Sequence, residues 1–507
     1  MTSEKNTKRA LITSILVILM CVTMLIGATF AWFTDTASTA VNKIQAGNLD
    51  VDIIGENSNA HIETLNFTKA AGAEEGEELL WEPGCRYLTE GFRITNKGNL
   101  ALKWKAQVNK GTTAANEGNF DLLDVIDFYL VTKAADGTET EVPLDEFTGN
   151  LKKTETSGVY YIKGVMQTTA GNDYQGLTLN GITITVIATQ DTVESDSFDD
   201  QYDKDAPLDF EPVATADELK AAAADGKNVL LTQDVTLTDA VTFNNAVTID
   251  LNGKTLATGL DSNGYSLVTK ADATIVNGTY KGTGTSRGIG AYGNLKMSHV
   301  TVDVAGLVGV ACSADNGQYI IEDSTIKGGY ALCNFNENVT INISDSTLEG
   351  ETIGFYHNGS NSGLNLNVTG TKINAGNDGV GATGVYISGS TATRDKGGYQ
   401  KASFTGCTIK GNAAVEVKYT DLTLNNCTVI ATVDSANASY NQNNNGSTTN
   451  GFAVVSTDNA TNNSIPKPEG TITINGGSYT GLIGLHSLAK ITTDFPGFVD
   501  TTYVINK

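Results

Sequence analysis

Proline, cysteine and basic residues are scarce in this chain, and each shortage excludes a class of protein. The 507 residues include 7 prolines and 6 cysteines, so neither a proline-rich disordered chain nor a scaffold built on disulfides fits. Lysine and arginine total 33 against 57 aspartates and glutamates, for a formal net charge of −24. Nucleic acid and anionic membranes require a basic face, so we expect neither as a partner.

Glycine is abundant instead, together with threonine, valine, isoleucine and asparagine. The chain has 54 glycines, which favour turns, as asparagine does. The β-branched residues favour strands. The composition therefore predicts an all-β protein, and the length is enough for two or more domains.

One long hydrophobic run lies near the start of the sequence. Basic residues precede the nearly unbroken apolar stretch 10–28, and small residues follow it. This layout is typical of a secretory signal peptide. We predict that residues 1–31 are removed by cleavage after Ala31 and that the protein is secreted. The alternative is that the run is retained as a membrane anchor, since its length is near that of a membrane span.

Short motifs at both ends of residues 32–190 resemble one known family. The motifs are FAWFTD at 30–35, AGNLDV at 46–51, the run LLWEPGCRYLTEGFRITNKGNLALKWKAQV at 79–108 and LTLNGITITVIATQ at 177–190. They resemble the TasA/camelysin family, whose members are exported with the help of a signal peptidase of the SipW type. The chain is thereby expected to come from a bacterium.

The resemblance implies a β-sandwich of jelly-roll type over residues 32–190, in a cell-surface or biofilm-matrix protein. It also implies self-association into fibres, because the cut N-terminus of fibre-forming relatives adds as a strand to the next subunit. Residues 32–53 would supply that strand here. The alternative is that 48–54 pairs within its own sandwich while 32–46 stays a flexible tail.

An acidic stretch separates this region from the rest of the chain. Residues 191–211 hold nine carboxylates and a single basic residue, Lys204, and we predict a linker over 191–214. Calcium takes six to eight hard oxygen ligands, so the clustered aspartates are a candidate calcium site, with a solvated linker as the alternative. These candidate ligands are Asp196, Asp199, Asp200, Asp203 and Asp205. No other cofactor is indicated.

A short helix is predicted directly after the linker. Thr215 and Glu218 form a Thr-x-x-Glu capping box, good helix formers continue to Asp225, and Gly226 stands where a helix stops. We predict a helix over 216–225 that covers the first coil of the region that follows.

That region contains two interleaved series of repeats, with steps of mostly 20 to 25 residues in the first. The first series is LNGKTL, VNGTYK, MSHVTV, IEDSTI, ISDSTL, VTGTKI, FTGCTI, LNNCTV and INGGSY. The second series is GIGAYG, GLVGVAC, GYALCNF, TIGFYHN, TGVYISG, AAVEVKY, GFAVVST and GLIGLHS. Short alternating strands at this period indicate a solenoid. It resembles the right-handed parallel β-helix of pectate-lyase-like proteins, which we predict over 215–500.

The cysteines of the repeats provide a check on the coil register. Cys407 and Cys427 share a place in consecutive units, and we assign Cys312 and Cys333 likewise to one place in the second series. Stacked coils lie about 4.8 Å apart, so the members of each pair are expected to touch. We interpret them as inward-facing free thiols, with cross-coil disulfides as the alternative.

The β-helix region holds the residue types that glycan cleavage requires. They are Asp303, Glu322, Asp323, Asp345, Glu349, Glu351, Asp378, Arg394, Asp395 and Glu416. Asp323 and Asp345 fall at the turn of successive units, where an aspartate bonds its own backbone. The cluster 394–396 falls in an insertion, which we interpret as a solvated loop. We therefore predict no catalytic residue.

The remaining patterns also point away from catalysis. The histidines, His61, His299, His357 and His486, form no His-Glu-x-x-His array of a zinc protease. We predict a non-catalytic, adhesin-like surface or matrix protein whose β-helix presents a surface to extracellular glycans or surface proteins. The alternative is a secreted polysaccharide-active enzyme, a lyase or glycoside hydrolase, with its site on the β-helix.

Overall fold

The chain divides into two compact units, Met1–Leu208 and Asp209–Lys507. The computed structural model describes residues 50–62, 65–68, 79–109, 112–113, 120–177, 179–180, 183–191, 209–376, 382–439, 449–457, 470–486, 490–493 and 502–505. Within these ranges, no helix combines the length and apolar character needed to cross a membrane. The predicted signal peptide lies outside them.

The first unit is built from antiparallel strands. They are β1 (Val51–Gly55), β2 (Phe67–Thr68), β3 (Arg86–Thr89), β4 (Phe92–Asn96), β5 (Leu102–Asn109), β6 (Thr112–Thr113), β7 (Ile126–Lys133), β8 (Glu139–Pro143), β9 (Gly149–Leu151), β10 (Tyr161–Met166), β11 (Leu179–Asn180) and β12 (Thr183–Gln190). Their sheets are β1-β4, β2-β3-β10-β7-β8, β11-β6 and β12-β5-β9. Short 3-10 helices span Leu122–Val125 and Asn172–Tyr174.

Three of these sheets contribute to one apolar core, which includes Phe92 of β4. Trp104 of β5 is fully buried, and it shares a cluster with Leu130 of β7 and Ile162 of β10. Gly149 of β9 stands opposite Trp104 in the register, and a Cβ there would lie 2.4 Å from the indole ring. Glycine at this position therefore allows the largest core side chain to lie against the neighbouring strand.

Strand β1 pairs along its whole length with β4, from Val51 opposite Asn96 to Gly55 opposite Phe92. This intramolecular pairing agrees with the alternative given above for 48–54. Residues 32–46 lie outside the described ranges, so the predicted addition of this segment to another subunit stays a prediction.

The second unit contains a single sheet of parallel strands. They are β13 (Phe210–Val213), β14 (Asn228–Leu231), β15 (Val235–Leu237), β16 (Val241–Phe243), β17 (Val247–Asp250), β18 (Thr255–Thr258), β19 (Tyr265–Thr269), β20 (Ala273–Gly282), β21 (Arg287–Ala291), β22 (Leu295–Val304), β23 (Val308–Cys312), β24 (Gln318–Glu322), β25 (Thr325–Asn334), β26 (Thr340–Ser344), β27 (Thr347–His357), β28 (Asn365–Thr369), β29 (Lys372–Ala375), β30 (Thr383–Ile387), β31 (Gln400–Thr405), β32 (Thr408–Gly411), β33 (Ala413–Lys418), β34 (Thr420–Ala431), β35 (Phe452–Thr457), β36 (Thr471–Thr480), β37 (Leu482–His486), β38 (Lys490–Thr493) and β39 (Thr502–Ile505).

Each coil of this solenoid contributes to three ladders of paired strands, and a long strand that rounds a corner belongs to two. Ladder A contains β13, β14, β17, β20, β22, β24, β26, β28, β31, β34, β36 and β38. Ladder B contains β15, β18, β20, β22, β25, β27, β29, β32, β34 and β36. Ladder C contains β16, β19, β21, β23, β25, β27, β30, β33, β35, β37 and β39. The predicted all-β class and the parallel stacking of the repeats are confirmed.

Helix α1 (Ala216–Asp225) has the predicted bounds. The Thr215 side chain accepts from the Glu218 amide, the Glu218 carboxylate accepts from the Thr215 amide, and Gly226 is left-handed with φ 67°. Leu219 and neighbouring alanines of the helix belong to the solenoid core.

The predicted linker is too long at both ends. Strand β13 lies inside 191–214, and it pairs with β14, so the solenoid begins before the helix. Asp191 is buried in the first unit, where its carboxylate accepts from the Asn150 side chain at 2.5 Å. An acidic composition therefore marked the neighbourhood of the boundary rather than its limits.

One turn residue in each repeat of the first series adopts the left-handed conformation, with φ between 45° and 72°. These residues are Asn252, Asn277, His299, Asp323, Asp345, Gly370, Gly406, Asn426 and Gly476. Glycine, asparagine and aspartate tolerate this region best. The turn interpretation of Asp323 and Asp345 is thereby supported, because backbone geometry alone accounts for both residues.

The residue after the turn begins a line of polar side chains inside the solenoid. Its members are Ser324, Ser346, Thr371, Cys407 and Cys427, all buried. Each donates to the carbonyl two residues earlier, at 2.6 to 3.4 Å. Ser346 Oγ also accepts from the Ser324 amide at 3.1 Å, which links one coil to the next.

The two cysteine predictions have different outcomes. Cys407 and Cys427 are buried free thiols in consecutive coils, as predicted, and their hydrogen bond together with burial raises the pKa of Cys407. The stacking of Cys312 on Cys333 is wrong. Cys333 pairs with Ala311, the residue before Cys312. The thiols of Cys312 and Cys333, both free, therefore lie on opposite sides of ladder C.

Candidate functional site

The outer side of ladder C carries a line of aromatic and charged residues, here called the aromatic face. Its central column, in register from coil to coil, is Gly290, Ala311, Cys333, Tyr356, Tyr386, Glu416 and Val455. The residues that flank this column and enter the site are Tyr265, Lys270, Arg287, Tyr292, Tyr330, Phe335 and Lys418. The central column changes from small residues (Gly290, Ala311) to aromatic residues (Tyr356, Tyr386) and then to Glu416.

Three tyrosines form a stack at the middle of this face. The rings of Tyr330 and Tyr356 are 5.3 Å apart with 12° between their planes, and those of Tyr356 and Tyr386 are 5.7 Å apart with 18°. Phe335 is tilted against Tyr356. Coils stack at about 4.8 Å, so rings in neighbouring coils meet naturally at stacking distance. Each such pair adds about 0.5–1.5 kcal/mol beyond burial.

Burial raises the pKa of two of these phenols, to about 12 for Tyr356 and above its ordinary value for Tyr330. The thiol of Cys333, in the same cluster, likewise has a raised pKa because it is buried. The middle of the face is therefore a neutral, packed surface at physiological pH.

The end of the face that is later in the chain is enclosed. Tyr386, Glu416 and Lys418 are exposed by 0%, 1% and 2%. Lys418 Nζ donates to the Tyr386 hydroxyl at 3.0 Å and lies 3.9 Å from a Glu416 carboxylate oxygen. The other Glu416 oxygen accepts from Thr449 at 2.7 Å. These acid, base and phenol groups satisfy one another away from solvent.

An insertion after β30 contributes to this region, and it contains helix α2 (Thr391–Gly397). Arg394 lies on that helix with its side chain 5% exposed, its guanidinium 5.2 Å from the Tyr419 ring centroid and its Nε 3.2 Å from the Asp395 carboxylate. The interpretation of 394–396 as a solvated loop is therefore wrong for Arg394. Lys396 is exposed and pairs with Glu337.

The end of the face that is earlier in the chain is open. Tyr292 is 40% exposed, and Lys270 Nζ lies 3.8 Å from the centroid of its ring. Arg287 Cζ lies 5.5 Å from the Tyr265 ring, and the two tyrosine rings are 6.5 Å apart at 85°. We call these four residues the open corner. It combines one exposed ring, that of Tyr292, and one half-buried ring, that of Tyr265, with two cations.

The outer side of ladder A is different, because it is dominated by hydroxyl and amide groups. A surface depression of about 400 Å³ lies near its start, lined in part by Thr274, Asn294 and Lys296. Farther along, Asn367 donates to Asn342 at 3.0 Å and Asn475 donates to Asn425 at 2.7 Å. Many of these polar groups thus bond along their own ladder.

The acidic candidates of the sequence are scattered over the solenoid. Asp303 and Glu349 are on the outer side of ladder B, where Glu349 pairs with Lys327 at 2.9 Å. Glu322 is on ladder A, and burial raises its pKa. Glu351 is exposed on β27, and Asp378 lies outside the described residues. With Asp323 and Asp345 at turns and Glu416 enclosed, the structure does not bring the set together.

The histidines and the acidic stretch supply no metal centre in the described part of the chain. There, no group of three or more histidine, cysteine, aspartate or glutamate side chains could hold a metal ion. His61 is exposed beside Asp52, His299 is a turn residue and His357 is buried. His486 ends β37. The five candidate calcium ligands all fall within 192–208, outside the described residues.

Sequence reasoning did not identify the aromatic face. A signal was present, because a tyrosine occurs in five of the first six units of the second series. These are Tyr292, Tyr330, Tyr356, Tyr386 and Tyr419. Inward and outward positions look alike in those strands, since both sides are buried, so the outward placement required the structure.

Comparison with known proteins provides little support for any assignment. No family model matches the sequence, and no curated protein matches it. Among solved structures, the crystal structure of the Dettilon tailspike protein (gp208) is similar, with 9% sequence identity over 58% of this chain and 71% of that chain. The TM-score is 0.30, which is too low to support a conclusion about fold or function.

Proposed function

We propose that this is a secreted, non-catalytic protein of a bacterial cell surface or biofilm matrix, whose solenoid binds an extracellular glycan or surface protein. The observation that carries the proposal is the open corner, where Tyr292 is 40% exposed next to Lys270 and Tyr265. Exposed aromatic rings beside a few polar groups are typical of ligand-binding surfaces.

The distribution of ionisable groups favours binding over catalysis. Hydrolysis of a glycosidic bond needs two carboxyl groups about 5–10 Å apart around an accessible bond. The described carboxylates lie on different ladders and at turns. The group that combines acid, base and phenol, Glu416 with Lys418 and Tyr386, is enclosed.

The first unit, in this proposal, mediates assembly or anchoring as a member of the TasA/camelysin family with a jelly-roll sandwich. The motifs at 30–35, 46–51 and 79–108 support it, and so do the antiparallel strands over 51–190. A SipW-type peptidase would release residue 32 as the new N-terminus. We further infer that the solenoid is a right-handed β-helix, since parallel crossover connections are nearly always right-handed.

Binding to a panel of immobilised bacterial polysaccharides and surface-protein extracts tests the main claim. We expect the secreted full-length protein to bind at least one component, and the double variant Tyr265→Ala/Tyr292→Ala to bind about tenfold more weakly, which corresponds to about 1.4 kcal/mol. Tyr129→Ala is the control, because Tyr129 is half-buried in the first unit and outside its core clusters.

Two results would contradict the proposal. One is unchanged binding by the Tyr265→Ala/Tyr292→Ala variant. The other is steady release of oligosaccharides from the bound polysaccharide, measured as new reducing ends, which would revive the alternative of a polysaccharide-active enzyme.

A further inference from the structure

We propose that the ligand of the open corner is an anionic glycan, a polysaccharide that carries carboxylate or sulfate groups, held through Lys270 and Arg287. This inference rests on the proposed function, since it specifies the chemistry of the same site. The geometry on which it depends is two cation and ring pairs, Lys270 on Tyr292 and Arg287 on Tyr265, side by side on one accessible corner.

The two cations have no acidic partner in the described residues. No described carboxylate forms a salt bridge with Lys270 or Arg287 within 4 Å, whereas Lys296, Lys327 and Lys418 each have one. An ammonium group has three donors and a guanidinium has five. The face of a ring satisfies one side of the cation, which leaves donors for an acidic ligand.

The ring of Tyr265 packs against the backbone of the neighbouring strand. Gly290 of β21 lies under Tyr265, and a Cβ at that position would come within 2.8 Å of the Tyr265 ring. Arg287 stands opposite Tyr265 in the register of β19 and β21. The Tyr265 and Arg287 half of the corner is therefore held in place before binding, and a preorganised surface loses less side-chain entropy when a ligand binds.

A glycan fits this corner better than an acidic peptide does. Two perpendicular rings present apolar surface, against which the carbon face of a sugar packs, while the cations are placed for its acidic groups. The whole protein has a formal net charge of −24, so a polyanion is repelled by most of the molecule. At 0.15 M salt the Debye length is about 8 Å, and local cations then decide the interaction.

A matched pair of polymers tests the preference for charge. The probes are dextran and carboxymethyl-dextran of the same chain length, with binding to the full-length protein measured by calorimetry at 0.15 M ionic strength. We expect carboxymethyl-dextran to bind at least about tenfold more tightly than dextran. The variant Lys270→Gln/Arg287→Gln should lose that difference.

The control variant is Lys372→Gln/Lys401→Gln, which removes two exposed lysines from ladders B and A. It should keep the preference for carboxymethyl-dextran. If the control loses the preference to the same extent, net charge rather than the open corner is responsible, and the inference is overturned.

The remaining outcomes separate this inference from the proposed function. Equal binding of both dextrans, or binding of neither while a polysaccharide of the panel binds through Tyr265 and Tyr292, overturns the anionic preference and leaves the proposed function standing. Poly-glutamate bound as tightly as carboxymethyl-dextran overturns the choice of a glycan. Binding to neither the dextrans nor any member of the panel overturns both proposals.

Discussion

Lys270 with Tyr292 and Lys418 with Tyr386 are the same kind of pair at opposite ends of the aromatic face. The lysine nitrogen lies 3.8 Å from the ring centroid in the first pair and 5.1 Å in the second. Tyr292 is 40% exposed, whereas Tyr386 is fully buried. A cation beside a ring therefore has no fixed role. Burial makes the pair a structural contact, whereas exposure leaves it available to a ligand.

The cover at the enclosed end comes from chain inserted between coils. Thr449, from the segment between β34 and β35, reaches Glu416, and Arg394, from the segment between β30 and β31, reaches Tyr419. The buried charge of Lys418 then requires Glu416 beside it, since an uncompensated buried charge is costly. The two ends should therefore respond very differently to the same substitution.

The largest expected effect is on stability, from the substitution Lys418→Met. It leaves the Glu416 carboxylate buried without its cation, and breaking such a pair typically costs about 3–5 kcal/mol of unfolding free energy. Lys270→Met at the open end should change it by less than about 0.5 kcal/mol. Urea denaturation of the full chain measures both, and equal losses would break the comparison.

The double variant Glu416→Gln/Lys418→Met sharpens this result. It removes both charges, so the unfolding free energy should rise again relative to Lys418→Met alone. A loss in the double variant as large as the sum of the two single losses would mean that the two charges do not interact.

The next effect is a pH dependence of the unfolding free energy that comes from one buried histidine. His357, one residue after Tyr356, is fully buried, with Nδ1 3.0 Å from Asn334 Nδ2, and burial lowers its pKa from 6.5 to about 4. The unfolded chain therefore binds a proton first as pH falls. The unfolding free energy should drop by about 3 kcal/mol between pH 6.5 and pH 4.

Denaturation at several pH values checks this effect, with one variant as the reference. His357→Gln should flatten the curve by about that amount. An unchanged slope in His357→Gln would mean that carboxylates alone produce the acid sensitivity.

A smaller effect is expected from removal of one hydroxyl at each end. Tyr386→Phe deletes the hydroxyl that accepts the buried Lys418 hydrogen bond, at a cost of about 1–3 kcal/mol. Tyr292→Phe at the open end should stay within about 0.5 kcal/mol of the wild type. Thermal unfolding of both variants measures the difference, which should vanish if Tyr386 is more accessible than its burial indicates.

The smallest expected effect is a local change in the alkylation rate of one cysteine, next to the tyrosine stack. Tyr330 packs against the cluster that contains Cys333, so Tyr330→Ala should speed alkylation of Cys333 in the native protein. Cys312 lies in the preceding coil, on the inner side of ladder C. It is the matched control and should stay unlabelled. Equal acceleration at both thiols would indicate general loosening instead.

Several elements of the fold could be predicted because local chemistry determines them. Thr215, Glu218 and Gly226 specify the ends of helix α1 through capping groups within the helix itself. The turns at Asp323 and Asp345 could be predicted for the same reason, since a left-handed backbone restricts the residue type at that position. The sequence pattern was sufficient to predict a structural element where residues within a single turn or a single coil determine its conformation.

The errors arose where tertiary packing decides. In ladder C both sides of the strands are buried, so the alternation that sets a register disappears, and Cys333 was placed one residue away from its true partner. Arg394 follows the capping residue Ser390, yet its burial depends on Tyr419, which no local pattern reveals. Phe210–Val213 was assigned to the linker because acidic residues surround it.

The left-handed turn residues of the repeats have a consequence for the length of the solenoid. Asp323 and Asp345 have φ 45° and 46°, and each is followed by a serine of the inner polar line, with Ser324 and Ser346 separated by 22 residues. Removal of residues 324–345 would join Asp323 directly to Ser346 and restore the same local chemistry. The solenoid can thus be lengthened or shortened by one coil, about 4.8 Å, at a time. Duplication of a repeat within the gene would therefore change the length of the solenoid without requiring a new type of turn between coils.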